Sequence, residues 1–259
     1  MADTNKATNL EAIILAAGKG TRMESDLPKV CHPVGGRPMV CAVVETCLEA
    51  GCKRVVVVVG YKQELVREAL ARYGDLVEFA VQHEQLGTGH AVVCALDAYP
   101  LAMQDNTDVF VLCGDGPLIR TSTLSSMLER HRSTGADATL ATSVIDDPDG
   151  YGRIVRNAEG GFQRIIEQKN ASDVELKINE VNPSYYCMNS RAMFELTGEY
   201  YITDVFELML KAGKRVEVID AVPPQDILSI NTLEHLAQVD AIYRERKSSG
   251  DHATTEGTV

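Results

Sequence analysis

This 259-residue chain has no long apolar run. Its longest, such as Val55 to Val59, fall far short of the roughly 20 residues that cross a bilayer. The opening "MADTNKATN" has none of the basic-then-apolar layout of a signal peptide. No membrane partner and a cytoplasmic location are the expectations. Positive charge is scarce: 25 Lys and Arg stand against 37 Asp and Glu, a net charge of −12. A bulk field of that sign repels nucleic acid, so any phosphate must be held by a local cluster or a metal. Paired cysteines are missing too. Seven cysteines with no CxxC spacing exclude a disulfide framework and a zinc knuckle. Cys41, Cys47, Cys94 and Cys113 lie among apolar neighbours and read as small core residues. No histidine stands in a pattern that would activate one as a nucleophile. No hexapeptide repeat announces a β-helix.

What is present is alternation. Apolar strands are expected at 11–17, 54–60, 77–82, 108–115 and 138–145, with helices at 38–51, 63–74, about 90–98 and 123–135. Strands that lack polar alternation and are separated by helices indicate an α/β fold: a mostly parallel, Rossmann-like sheet flanked by helices. The second half is less regular. A hairpin is expected around the "AEGG" turn (158–161), a strand at 179–189, and a helix at 203–213 with Thr203 as its N-cap. A strand over 215–221 and a last helix over 232–246 follow. We expect one domain over 1–247: a nucleotide-binding half (about 10–120), a sugar-binding half (about 121–230) and a C-terminal helix (231–247). The polar tail 248–259 reads as disordered.

Ligands of an open parallel sheet bind beyond the carboxyl ends of its strands, so the loops there matter most. In "AIILAAGKGTRMESDLPKV" (12–30), Gly18 and Gly20 let backbone N–H groups face an anion, and Arg22 and Lys29 add cations. The same loop also reads as a glycine turn with two solvated cations. It is neither a Walker loop, since no G-K-[ST] closes it, nor a dinucleotide fingerprint, since Met23 stands where the third glycine belongs. In "LCGDGPLI" (112–119), Asp115 ends a strand between two glycines and reads as a Mg2+ ligand or as a turn aspartate. "QLGTGHA" (85–91) reads as a helix cap or as a cradle for a base, sugar or phosphate. Glu167 reads as a ligand of sugar hydroxyls or as the ion-pair partner of Lys169. Asn231 reads as an N-cap or as a metal ligand.

Taken together, "LAAGKGTRM…LPKV", "QLGTGHA", "GDGPLI", "GYGRI", "EVN", "EYYITD" and "SIN" resemble, in the same order, the motifs of sugar-1-phosphate nucleotidyltransferases. The similarity spans about Leu10 to Arg246. It is closest to the N-terminal uridylyltransferase domain of bifunctional bacterial N-acetylglucosamine-1-phosphate uridylyltransferases. The resemblance implies the nucleotide-diphospho-sugar transferase fold. It implies that Ala16, Ala17, Gly18, Gln82, Gly87 and Thr88 hold the uridine, and that Arg22 and Lys29 hold the triphosphate. Asp115 and Asn231 would ligate Mg2+. Gly152, Glu167 and Asn182, with Tyr201 and Thr203 near them, would bind N-acetylglucosamine 1-phosphate. Arg22, Lys29 and Asp115 are the catalytic residues it implies. UTP and the sugar phosphate are the implied partners, and a UDP-sugar precursor of the peptidoglycan cell wall is the implied product. A homo-oligomer is compatible with the resemblance.

Two departures fall on the sugar side. The family's usual N-T-G is replaced, because Asn182 is followed by Pro183, Ser184 and Tyr185. The segment "YCMNSRAMFELTGEYYITD" (186–204) is also shorter than its counterpart. The chain is expected to stop where the family's acetyltransferase β-helix begins. Two alternatives stand beside this reading: the same chemistry on another sugar or polyol phosphate or with dTTP or CTP, and a sugar-nucleotide-binding module without catalysis. An NAD dehydrogenase is excluded, because Gly60 and Tyr61 follow the second strand where an acidic residue would be needed.

Overall fold

A computed structural model describes residues 9–23, 25–98, 107–195 and 201–249. Its strands are β1 (Leu10–Ala16), β2 (Pro33–Val34), β3 (Arg37–Pro38), β4 (Val55–Val59), β5 (Val77–Val81), β6 (Asp108–Cys113), β7 (Ala138–Val144), β8 (Gly152–Arg156), β9 (Phe162–Ile166), β10 (Glu180–Asn189) and β11 (Val216–Asp220). Its α-helices are α1 (Met39–Glu49), α2 (Gln63–Leu70), α3 (Thr88–Cys94), α4 (Thr121–Thr134), α5 (Ser190–Glu195), α6 (Ile202–Lys211) and α7 (Leu233–Ser248).

The central sheet runs β11-β7-β10-β6-β1-β4-β5, with β8 on β10 and β9 on β8. β5, β4, β1 and β6 are mutually parallel, as are β7 and β11. β10 lies antiparallel between β6 and β7. One sheet therefore carries strands from both halves of the sequence. The central strands are unbroken apolar runs because both faces are covered. Val55 to Val59 are all fully buried, and they alternate between two cores. Val55, Val57 and Val59 join α1, α2, α4 and α7 on one face, while Val56 and Val58 join α3, α5 and α6 on the other. Each such side chain contributes about 1.5–3 kcal/mol of burial.

Several expected boundaries move, each for a local reason. The second helix ends at Leu70, whose backbone leaves the helical region (φ −102°, ψ 0°), and short 3-10 turns within Ala71–Leu76 follow, kinked at Gly74 with φ +53°. The third begins at Thr88 rather than His90, and becomes 3-10 beyond Cys94. Thr203 is not a cap; α6 starts one residue earlier behind Tyr201, which leaves Thr203 buried inside the first turn. Asn231 is not a cap either. Thr232 caps α7, its hydroxyl accepting from the His235 N–H at 3.2 Å. The last helix runs on to Ser248, into the stretch expected to be disordered. Residues 250–259 of that tail, and Glu199 and Tyr200 of "EYYITD", lie outside the described residues.

A buried charge cluster anchors α7. Asp226 is fully buried and accepts from the guanidinium groups of Arg120 and Arg246. Arg246 also donates to the Leu118 carbonyl at 3.1 Å. The cluster clamps the segment leading to Asn231 behind the loop that carries Asp115. The backbone agrees, since the Ile230 N–H donates to the Asp115 carbonyl at 3.3 Å.

Among the described residues no helix is long and apolar enough to cross a membrane.

Candidate active site

The chain passes from β1 to β4 and β5 on one side of the sheet, then returns to β6 on the other side of β1. Connections leave in opposite directions at β1 and β6, and a crevice opens at such a switch point. The loop after β1 and the loop after β6 meet there.

Gly20 takes φ +69°, and a Cβ on it would lie 2.6 Å from the Lys29 Cβ. Glycine is what lets the two ends of the first loop touch. Short 3-10 turns over Thr21–Met23 and Lys29–Cys31 then fix Arg22 and Lys29. On the second loop, a Cβ on Gly114 would sit 3.2 Å from the Leu15 carbonyl, and one on Gly116 would sit 2.7 Å from the Tyr185 hydroxyl. Both glycines press this loop against its neighbours and set Asp115 at the strand tip.

Four side chains converge as a result. The Lys29 ammonium contacts an Asp115 carboxylate oxygen. It also donates to Asn231 Oδ1 at 2.8 Å, and Arg22 donates to the same oxygen at 3.0 Å. Asn231 Nδ2 donates in turn to Ser229 Oγ at 3.1 Å, which fixes the amide with its oxygen toward the cations. The Lys29 and Asp115 side chains are only 15% and 21% exposed, so solvent screens their attraction weakly.

Two adjoining cavities open beside this cluster. One, of about 330 Å3, is lined by Ala16, Ala17, Gly18, Gln82, Gly87 and Thr88 together with Lys29, Cys113 and Asp115. The other, of about 250 Å3, is lined by Gly18, Gly20, Arg22, Lys29, Gln85 and Asn231. All six residues expected to hold uridine thus face one cavity, next to the four expected at the triphosphate. Burial, and then the neighbouring Asp115 charge, push the Cys113 thiol up to about 12. It stays protonated and forms part of the wall.

The sugar-side residues are arranged differently. Gly152 pairs with Asn182 across β8 and β10. Asn182 is buried with its amide engaged, Nδ2 donating to the Tyr186 hydroxyl at 2.8 Å and Oδ1 accepting from the Ser184 N–H at 3.1 Å. Burial raises the Tyr186 phenol, against the lowering effect of its hydrogen bonds with Ser184 and Asn182. Glu167 does not pair with Lys169, whose ammonium lies 5.3 Å from the centre of the Tyr201 ring. Tyr201 is half exposed, and Thr203 is buried in α6. Among the described residues the Ile202 N–H donates to Thr88 Oγ1 at 3.2 Å, joining α6 to the start of α3. The β10 register shifts between Val181 and Tyr185, and Ser184 adopts φ +65°. The departure after Asn182 is therefore a β-bulge with a left-handed serine.

Sequence reasoning passed over Gln85 and Ser229. Gln85 Nε2 holds the Ala17 carbonyl at 2.9 Å and faces both cavities. It opens the motif "QLGTGHA", where the glycines drew attention instead. Ser229 opens the motif "SIN", where Asn231 drew attention instead.

Comparison with known proteins fits this architecture. The crystal structure of UDP-glucose pyrophosphorylase complexed with UDP-glucose superposes with a TM-score of 0.71 at 20% identity, covering 92% of this chain and 100% of that one. That likeness is one of fold. In sequence, the bifunctional protein GlmU of Geotalea uraniireducens is 42% identical over 247 residues, covering 92% of this chain and 53% of that protein. GlmU of Geobacillus sp. strain WCH70 is 43% identical over 244 residues, covering 91% and 52%. The chain thus spans about half the length of the curated relatives it matches. Residues 12–174 match the family described as the MobA-like NTP transferase domain. With a match over more than half its length and relatives above 40% identity across nine-tenths of it, the chain belongs to the MobA-like NTP transferase family.

Proposed function

We propose that this chain is a Mg2+-dependent uridylyltransferase that joins UTP and N-acetylglucosamine 1-phosphate to give UDP-N-acetylglucosamine and pyrophosphate. The observation that carries the reading is the convergence of Arg22, Lys29, Asp115 and Asn231 at the mouth of a cavity of about 330 Å3. The cavity takes the nucleoside, through Ala16, Ala17, Gly18, Gln82, Gly87 and Thr88, and the cluster takes the phosphates.

The donor set suits a hard divalent ion. Asp115 and Asn231 each turn an oxygen toward the same ammonium, so the site already stabilises a cation between them. Among the described residues no cluster of three or more His, Cys, Asp or Glu residues could hold a metal. That fits Mg2+, which takes one or two protein oxygens and completes its shell with phosphates and water. When bound, the ion would offset charge on the phosphates at Asp115 and Asn231. Lys29, on its flexible four-carbon stem, would be free to carry its charge to the polyphosphate.

The remaining work belongs to the chain. A sugar phosphate is ionised at neutral pH, so its oxygen attacks the α-phosphorus without a general base. Arg22 and Lys29 hold the triphosphate in line and stabilise charge growing on the departing pyrophosphate. Gly152, Glu167 and Asn182, flanked by Tyr201 and Thr203, orient the sugar. Resemblance to the bifunctional GlmU proteins favours N-acetylglucosamine, a cytoplasmic location and a product used for cell-wall synthesis. The bulge at Ser184 favours keeping a second reading, in which another sugar or polyol phosphate is accepted by the same machinery.

The test is a panel of UTP, dTTP and CTP against several sugar 1-phosphates, scored by pyrophosphate release with and without Mg2+. The highest kcat/KM is expected for UTP with N-acetylglucosamine 1-phosphate, and no turnover without the ion. Higher efficiency on another sugar phosphate would replace the substrate. Nucleotide binding with no turnover on any pair would make the chain a binding module.

A further inference from the structure

His90 has no part in the chemistry above, yet it touches Gln82, a side chain of the uridine cavity whose amide can read a base edge. Gln82 stands just after β5, buried, and lines the cavity of about 330 Å3. Its Nε2 lies 3.0 Å from the Gly87 carbonyl and 3.0 Å from His90 Nδ1. A carbonyl only accepts, so the atom facing Gly87 must be the amide nitrogen, whichever way the group is drawn. Its second hydrogen then points at His90 Nδ1, which must offer a lone pair. The imidazole proton is left on Nε2, where Cys94 Sγ lies 3.8 Å away. With both amide hydrogens spent, Oε1 is turned away from these partners. Among the described residues no donor engages it.

An oxygen held in that way can only accept. Uracil and thymine present a donor, N3–H, at the middle of their pairing edge. Cytosine presents a lone pair at the same atom, which would face the lone pairs of Oε1. We propose that His90, as the neutral Nε2–H tautomer, is a positioning residue that locks the Gln82 amide with its oxygen toward the base, selecting pyrimidine nucleotides that carry N3–H over those that do not. Gly87 supplies one half of the lock and His90 the other. The inference deepens the proposed function and rests on its uridine cavity. It assigns to this lock the part of the nucleotide preference that turns on N3–H: the lock itself treats UTP and dTTP alike and disfavours CTP.

Two variants and one spectrum test it. His90→Leu removes the acceptor. His90→Asn restores one, because its Oδ1 can take the place of Nδ1. Equilibrium binding of UTP, dTTP and CTP with Mg2+ is measured on all three proteins. The tautomer in the unmodified protein is read from long-range 1H–15N correlations of the imidazole.

The preference for UTP over CTP should fall about tenfold in His90→Leu, as a neutral hydrogen bond to the amide is lost, and recover in His90→Asn. The ratio of UTP to dTTP should not move in either. A merely structural histidine would weaken all three nucleotides together, and that result would overturn the proposal. So would an Nδ1–H tautomer, which needs neither variant to fold. Binding of UTP without turnover would defeat the catalytic reading while leaving the lock intact. Failure of the unmodified protein to bind any pyrimidine nucleotide would overturn both.

Discussion

The two halves of the crevice hold their polar groups in opposite ways. On the nucleotide side, Lys29, Arg22, Asp115 and Asn231 are paired with one another across loops, and their contacts can be exchanged for phosphates and a cation. On the sugar side, Asn182 is buried and tied to Tyr186 and Ser184 of its own strand. A ligand there must use the second amide hydrogen and the second lone pair that remain. The first arrangement is assembled by parallel strands that end at one level, so that successive loops meet. The second is made by one antiparallel strand with a bulge. The convergence around Asp115 thus follows from where successive loops end, whereas the arrangement around Asn182 depends on how β10 is pleated.

The sharpest way to break the comparison is to loosen the anchor behind Asn231 on the nucleotide side. Asp226→Asn removes the buried carboxylate that the buried Arg246 and the partly exposed Arg120 both face. It should cost about 3–5 kcal/mol of stability, read by urea unfolding as a lower midpoint with an unchanged slope. A loss below 1 kcal/mol would mean that the Asp226 cluster does not anchor α7.

Next in size is Lys29→Ala. It should lose about 2–4 kcal/mol of transition-state stabilisation, the cost of removing one preorganised donor. In kinetics the loss should fall on kcat while KM for the sugar phosphate stays nearly constant. A mutant within threefold of the parent kcat would take Lys29 out of the chemistry.

The smallest effect should come from the sugar side. Serine at φ +65° is held in a region that costs an ordinary residue about 1–2 kcal/mol, and glycine recovers part of that. Ser184→Gly should therefore raise stability by about 0.5–1 kcal/mol in thermal or urea unfolding. UTP binding should not change. A destabilised Ser184→Gly protein would show that the serine side chain, rather than the bulge, holds this strand in place.

Legibility in the sequence followed the same division. Val55 to Val59 announced a strand covered on both faces, and Gly18, Gly20 and the glycines around Asp115 announced loops that approach something closely. Those signals are local, and the sheet order then brought the loops together. Asn231 was legible only as a choice between cap and ligand, because a cap and its neighbour differ by one residue in register. The structure gives the cap to Thr232 and leaves the Asn231 amide to Lys29 and Arg22. Thr203 was misplaced for the same reason. The left-handed turn at Ser184 had no local sign beyond Pro183, since serine seldom adopts it and glycine is the usual clue. The pairing of Gln82 with His90 was invisible, because it joins a strand end to a helix across a loop.

The central claim is that the four converging side chains hold one metal-bound triphosphate. The most direct measurement is a crystal structure with Mn2+ and a UTP analogue whose α–β bridge cannot be cleaved, using the anomalous signal of the metal. The account predicts a peak within coordinating distance of Asp115 and Asn231, with the Lys29 ammonium moved from Asp115 onto a phosphate oxygen. A metal bound elsewhere, or Lys29 still paired with Asp115 while the nucleotide is in place, would contradict it.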